Sequence, residues 1–430
     1  MARRDVLWPR FHHGGCMASK RRLGLAMVGI GVGGTEMLPA MEAMPELRLV
    51  AGCDINEDTL NRFAERYNAK GYGDYDEMLA DPEVEAVWVS TPNRFHAEHS
   101  IRAMEAGKHV VVEKPMALNL EDAQKMVETA NRTGVKFLAG HTRSFTPPVR
   151  TMWKIIQSGE IGRARAINAF AYTDWMLRPR TWEELDMEQG GGLPMRQLPH
   201  QIDSVRLLGG GMVKSVRGAT GQWMPERPIP GYYAAFLEFE DGTTSLVCHN
   251  GYGYVMGAEF VTWGHDRQRY TSEERVEVRR QMREGTRDES EDKQALRIGG
   301  LQEREVFKAE NEELWVPEDL GLLIATCERG DIRHGPSGLI LYDDRGTHQI
   351  DLAVDRDMGP GYRRAELEEL YDAVVEDRPI FHTGEWGLAT LEVVLGIIQS
   401  GAEGREIQMQ HQVPVHERYG EARNFSPVSV

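Results

Sequence analysis

LGLAMVGIGVGG, residues 23–34, is a short apolar run that ends in a glycine-rich turn. A run of this length, closed by glycines, reads as a buried parallel strand. Gly29, Gly31 and Gly34 are spaced as GxGxxG. In that pattern the first glycine permits the tight turn and the second lets backbone approach a pyrophosphate. The third lets helix pack closely on strand. Free N–H groups and the helix dipole then favour the anion. The motif is weak alone, but here it follows a buried strand and precedes a helix. Gly29, Ile30, Gly31, Gly33 and Gly34 are candidate cofactor contacts. Asp54 is an independent check: it ends the second strand, 20 residues after Gly34, where an acid binds ribose hydroxyls and disfavours the extra phosphate of NADP. The competing role for Asp54 is a helix cap. Arg62 or Arg66 leaves NADP open beside NAD.

Outward from this turn, strands alternate with helices: strands at 47–54, 84–90, 109–113 and 136–140, helices at 36–43, 57–68, 75–80, 96–106 and 120–133. This predicts an α/β, doubly wound parallel sheet, a Rossmann domain over residues 21–143. After residue 145 the order changes. A helix at 147–158 precedes strand-like runs at 164–172, 213–219, 234–239, 243–249 and 258–263, and sheet resumes at 339–351. Residues 144–430 therefore read as an α+β domain with a largely antiparallel sheet. Helices are expected at 362–375 and 387–400. The charged stretch at about 265–310 reads as a solvated helical insertion or a mobile loop, not a partner site.

The chain has 430 residues, enough for two domains, with 41% hydrophobic and 27% charged residues. A formal net charge of −17 argues against nucleic acid and anionic membranes as partners. The four cysteines, Cys16, Cys53, Cys248 and Cys327, form no CxxC pair, so no metal site or disulfide framework is expected and a cytoplasmic location fits. No apolar run is long enough to span a bilayer. Residues 1–20 read as a basic disordered tail, not an export signal, with Met17 a candidate natural start.

Two further segments carry chemistry. Ser90-Thr91-Pro92-Asn93, with His96, follows the third long strand, and Glu113-Lys114-Pro115 follows the fourth. Both lie where parallel sheets place their ligands. Lys114 can donate to a substrate hydroxyl or form a structural pair with Glu113; the sequence leaves both open.

These residues, together with Gly190-Gly191-Gly192 and His200-Gln201-Ile202-Asp203, resemble the glucose–fructose oxidoreductase / inositol dehydrogenase (Gfo/Idh/MocA) family over most of the chain. The resemblance implies a Rossmann domain, an open-sheet domain, substrate between them, and Lys114 and His200 beside the nicotinamide as catalytic residues. Its cofactor contacts would include Glu113, Lys114, Ser90–Asn93 and His96, and its assembly a homodimer or homotetramer on the open sheet face. The chain departs from the family where an acid usually stands four residues before the histidine, because Arg196 occupies that position. An acid there suits a polyol, whereas an arginine suits a carboxylate. Arg143, Arg178 and Arg180 fall in segments that could face the same cleft, or they pair with Asp174, Glu183 or Glu184. Segments 172–180, 190–203 and 321–331 resemble the phthalate 4,5-cis-dihydrodiol dehydrogenase branch. Tyr172, Asp203 and the four arginines are thus candidate substrate residues for an anionic small molecule. The expected reaction is NAD-dependent oxidation of a carboxylated cyclic diol. The alternatives are a sugar, sugar-acid or cyclitol dehydrogenase, a glycoside-processing enzyme with retained NAD, and a redox-inactive NAD-binding regulator.

Overall fold

The computed structural model describes residues 21–140, 143–261, 272–295, 315, 317–352 and 361–422. The expected tail, residues 265–271 and 296–310 of the charged stretch, and the last eight residues lie outside them.

The first sheet is built from β1 (Leu23–Val28), β2 (Leu47–Cys53), β3 (Lys70–Tyr72), β4 (Ala86–Val89), β5 (His109–Val112) and β6 (Phe137–Ala139). Between them run α1 (Val32–Glu42), α2 (Glu57–Tyr67), α3 (Tyr75–Ala80), α4 (His96–Glu105) and α5 (Leu120–Thr133). The order is β3-β2-β1-β4-β5-β6, with every pairing parallel. β1 and β4 are fully buried, which explains their unbroken apolar sequence. Strand order reverses between β1 and β4, and that crevice is where such sheets bind ligands. The edge strand β3 was not expected. Its sequence, KGY, is too short and polar to show an alternation.

The second sheet has nine strands in the order β14-β13-β12-β11-β7-β10-β9-β8-β15. They are β7 (Ala164–Tyr172), β8 (Val213–Gly221), β9 (Tyr232–Phe239), β10 (Thr244–Asn250), β11 (Leu322–Cys327), β12 (Gly330–Gly335), β13 (Gly338–Asp343), β14 (Gly346–Asp351) and β15 (Ile407–Gln408). Only β7 and β10 pair in parallel. One face is covered by helices that include α6 (Pro147–Ser158) and α7 (Gly192–Leu208). The other leaves Phe236 and Leu246, direct partners across β9 and β10, about half exposed.

Beyond the added strands β3, β11, β12 and β15, three features differ from the sequence reading. Residues 257–260 form a 3-10 turn, not a strand, since the capping pair of Met256 and Glu259 closes the backbone on itself. The described part of the charged stretch forms α8 (Ser272–Glu284) and α9 (Glu289–Ala295), and it is docked rather than solvated. Val278 and Met282 pack on buried Leu177, and the Arg279 guanidinium donates to the carbonyls of Tyr252 and Gly253. Finally, α10 (Gly361–Val375) crosses back to the first sheet. Its Leu367, Leu370 and Tyr371 share a core with Leu25, Met37 and Trp88, while α11 (Gly384–Glu403) packs on α5, α7 and β8. No described helix is long and apolar enough to cross a membrane.

Candidate active site

The three motif glycines do three different things. Gly29 has φ +83°, and a Cβ there would stand 2.7 Å from the Thr91 backbone, so it allows both the turn and the close approach of the β4 loop. Gly34 packs the helix: a Cβ would meet the Gly29 carbonyl and Ser90 Oγ, each at 2.7 Å. At Gly31 and Gly33 a Cβ would meet nothing within 4 Å. Gly31 caps α1 without a side-chain bond, and no acid lies in the first turn. By contrast α2, α3 and α5 start with Asn or Asp caps and acidic first turns. The positive end of α1 is therefore left to face an outside anion. Asp54 sits at the mouth, its Oδ2 accepting from Ile30 N at 2.7 Å and its Oδ1 from Asn56 N at 2.8 Å. Its remaining lone pairs can still accept from ribose hydroxyls.

The two loops beyond β4 and β5 are fastened to one another. Buried His96 places Nδ1 2.8 Å from the Pro115 carbonyl and Nε2 2.8 Å from the Thr91 carbonyl. Burial outweighs both carbonyls and lowers its pKa to about 4. His96 thus positions the loops. Ser90 Oγ donates to the Gly29 carbonyl at 2.7 Å, and Thr91 Oγ1 lies 3.1 Å from His99 Nδ1. Pro92 is exposed at the start of the following 3-10 turn. Asn93 faces the second domain instead: Nδ2 donates to the Gly190 carbonyl at 3.0 Å, and Oδ1 accepts from Arg196 at 3.0 Å.

Lys114 and Arg196 meet from the two domains. Pro199 inside α7 has no N–H to return to the Met195 carbonyl, and the next carbonyl, that of Arg196, accepts from Lys114 Nζ at 2.9 Å. His200 lies one turn after Arg196 on the same helix face and is mostly buried. Burial, then the charge of Arg196, lowers the Lys114 pKa to about 8 against the opposing pull of Glu113. Burial raises Glu113 in turn, and behind it Glu366 of α10, fully buried, is held well above the usual carboxylate range by burial and by Glu113.

The arginines divide into two groups. Arg196 and Arg180 both donate to Glu184 Oε1, at 3.1 and 3.2 Å, and Arg180 stacks on Trp175 with 3.7 Å to the ring centroid. Arg178 pairs with Asp174 and Asp319, at 3.0 and 3.3 Å, and Arg143 lies 3.7 Å from Glu318. The pairings Arg178–Asp174 and Arg180–Glu184 are among those the sequence left open. Two candidate substrate residues are placed elsewhere. Asp203 is fully buried and accepts from Trp386 Nε1 at 2.6 Å, so it ties α7 to α11. Tyr172, at the end of β7, alternates away from buried Ala171 onto the open sheet face, where its ring meets Phe260 at 5.0 Å.

Comparison with known proteins shows the family of the two-domain fold. The model of the oxidoreductase family with a NAD-binding Rossmann fold, GFO_IDH_MocA, matches residues 23–141, and the GFO/IDH/MocA C-terminal domain matches residues 149–263. The chain is 32% identical over 384 residues to 1-carboxy-3-chloro-3,4-dihydroxycyclohexa-1,5-diene dehydrogenase of Comamonas testosteroni, covering 88% of this chain and 94% of that protein. The chain belongs to the Gfo/Idh/MocA oxidoreductase family. A Bordetella bronchiseptica RB50 protein of known structure superposes with a TM-score of 0.80 at 34% identity, covering 90% of this chain and 100% of that one. A 4-carboxy-2-hydroxymuconate-6-semialdehyde dehydrogenase of Sphingobium sp. (strain NBRC 103272 / SYK-6) is 34% identical over 239 residues, 53% of this chain and 72% of that protein.

This Gfo/Idh/MocA member is thus a NAD-binding oxidoreductase. The open space at Gly31 and the uncapped α1 fit the pyrophosphate, and Asp54 fits a ribose. Sequence reasoning missed Asp319, Lys293 and the Asn93–Gly190 link. Lys293 Nζ donates to Glu184 Oε2 at 3.0 Å, and Asp319 acts on the charge of Lys114. Asp319 and Lys293 belong to no motif and reach the site from far along the chain, while Asn93 and Gly190 each lie in a motif but meet only through the tertiary fold.

Proposed function

We propose that the protein oxidises a carboxylated cyclic cis-diol, such as phthalate cis-4,5-dihydrodiol, with NAD⁺. The carrying observation is Arg196: its backbone carbonyl holds Lys114, while its guanidinium, 29% exposed, stands with Arg180 beside it. That places a cationic fork one side-chain length from the candidate catalytic lysine, suited to a substrate carboxylate. The Comamonas testosteroni relative is named for a carboxylated dihydroxycyclohexadiene, which supports the same substrate class.

In this reading Arg196 and Arg180 hold the carboxylate. His200 takes the proton of one ring hydroxyl, and protonated Lys114 donates to that oxygen as negative charge grows on it. NAD⁺, held by the N-terminus of α1 and by Asp54, would supply the acceptor for the hydride of the same carbon. The resulting ring ketone loses the neighbouring ring proton by tautomerising to a catechol, and aromaticity makes the oxidation downhill. Asp54 favours NAD over NADP.

The test is NADH formation with the dihydrodiol, beside neutral sugars, cyclitols and uronic acids. Turnover of the dihydrodiol whose KM rises about ten- to hundredfold in Arg196→Ala, the loss of a charge-assisted pair, supports the reading. Turnover of a sugar acid alone moves the chain to carbohydrate chemistry, and absence of any turnover leaves an NAD-binding regulator. A second copy on the open sheet face is part of the proposal, supported by the adjacent exposed Phe236 and Leu246. Light scattering showing a monomer would overturn that part.

A further inference from the structure

We infer that α9 of the charged insertion forms a wall of the substrate site, and that its Lys293 completes a three-cation anion subsite with Arg180 and Arg196. This rests on the carboxylated-substrate reading and names which residue sets how much negative charge the site accepts.

The insertion is clamped where it must be to do this. Glu289, at the start of α9, accepts from the Arg227 guanidinium at 2.7 Å and from the Arg180 backbone N–H at 2.9 Å. The Arg287 guanidinium donates to the Leu177 carbonyl at 2.6 Å. One turn later in α9, Lys293 extends inward, its side chain 15% exposed, to Glu184.

Charge accounting then separates this cluster from its neighbours. Arg178, Arg227 and Arg287 are each matched by an acid: Asp174 and Asp319, Glu289, and Asp292 respectively. Arg180, Arg196 and Lys293 share the single carboxylate Glu184, whose Oε2 is also taken by Thr181 N. Three cations on one carboxylate leave two positive charges without a salt-bridging carboxylate of their own among the described residues, in a chain of net charge −17. Arg180 also keeps a buried Nε–H without a hydrogen-bond partner. Burial and mutual repulsion depress Arg180 to about 10 and lower Lys293, as expected of cations held together short of anions. A bound anion removes that repulsion, and a dianion matches the surplus better than a monoanion. Arg180 also lines an open groove of about 510 Å³ between its loop and the insertion, bordered by Trp182 and Arg287, so this member of the cluster borders a groove open to solvent.

The experiment titrates phthalate, benzoate and benzyl alcohol into the full-length protein with saturating NAD⁺, in wild type, Lys293→Gln, Lys293→Arg and Arg196→Gln. Expected are tighter binding of phthalate than benzoate, and about ten- to hundredfold weaker phthalate binding in Lys293→Gln. Lys293→Arg should restore most of it, and NADH affinity should not move. Phthalate affinity that falls in Arg196→Gln but not in Lys293→Gln overturns this inference while leaving the carboxylate reading intact. A Lys293→Gln loss that the arginine variant does not restore, or that extends equally to benzyl alcohol, makes the lysine merely structural. No phthalate binding by wild type overturns the anion subsite and the carboxylate reading together.

Discussion

Replacing the motif glycines one at a time by alanine separates folding from cofactor binding. Gly29→Ala forces φ +83° on an L-residue, costing about 1–2 kcal/mol. Its Cβ also stands 2.7 Å from the Thr91 backbone, which must shift at a cost of about 1–3 kcal/mol. The sum, about 2–5 kcal/mol, lowers Tm by roughly 2–6 °C for a protein of this size. Gly34→Ala, with contacts of 2.7 Å to a carbonyl and a hydroxyl, loses stability through packing alone. Gly31→Ala is the informative case. Its φ of −81° suits alanine and its Cβ meets nothing, so Tm holds or rises slightly as the unfolded chain loses freedom. The same methyl fills the space through which the pyrophosphate approaches α1. Losing one charge-assisted hydrogen bond there costs about 1.5–3 kcal/mol, a rise of roughly 10- to 150-fold in the Kd for NADH. Differential scanning fluorimetry and NADH fluorescence titration read the two effects separately. Unchanged NADH affinity in Gly31→Ala, or a Tm loss equal to that of Gly29→Ala, would refute the division of roles.

Three further expectations follow from charge. Protonated Lys114 is the form that stabilises an alkoxide, so kcat/KM should fall as pH rises through about 8. Arg196→Gln removes a repelling charge and should move that limb upward; a limb that stays in place would contradict the coupling. Replacing Asp54 by Asn weakens the carboxylate barrier to a 2′-phosphate, so the NADP-to-NAD ratio of kcat/KM should rise by about tenfold or more, and a constant ratio would remove Asp54 from cofactor selection. Burial holds His249 at about 4 and His334 at about 3, below the unfolded value of about 6.5. The unfolded chain therefore binds more protons, and stability present above pH 6.5 is lost as pH falls toward 4, about 2 kcal/mol per histidine by pH 5. Urea midpoints at pH 7.5 and 5 should show a smaller acid loss in His334→Gln than in wild type; equal losses would deny that His334 is buried neutral.

Much of the candidate site was legible because its signals are local. The turn at Gly29–Gly34, the acid at Asp54 and the loops after β4 and β5 each follow from a strand ending where a parallel sheet gathers its ligands. Arg196 and His200 are one helical turn apart, so their common face is set by the helical period. Legibility fell where a side chain's role depends on what arrives from elsewhere. Asp203 shares the helix of His200, but only the docking of α11 shows that it answers Trp386. Tyr172 lies in a segment that resembles a substrate region, yet strand alternation turns it to the open face. The insertion looked solvated because its charges outnumber its apolar residues; Val278, Met282 and Arg279 dock it through a few contacts that no periodicity announces.

The sequence by itself determined the parallel sheet, the NAD-binding domain and the family, because each rests on backbone geometry that a short run of residues dictates. Only the tertiary structure decided which charges meet. Glu184, Arg196 and Lys293 come from a loop, a helix and an insertion, and a charge has meaning only among the neighbours that share its low-dielectric surroundings.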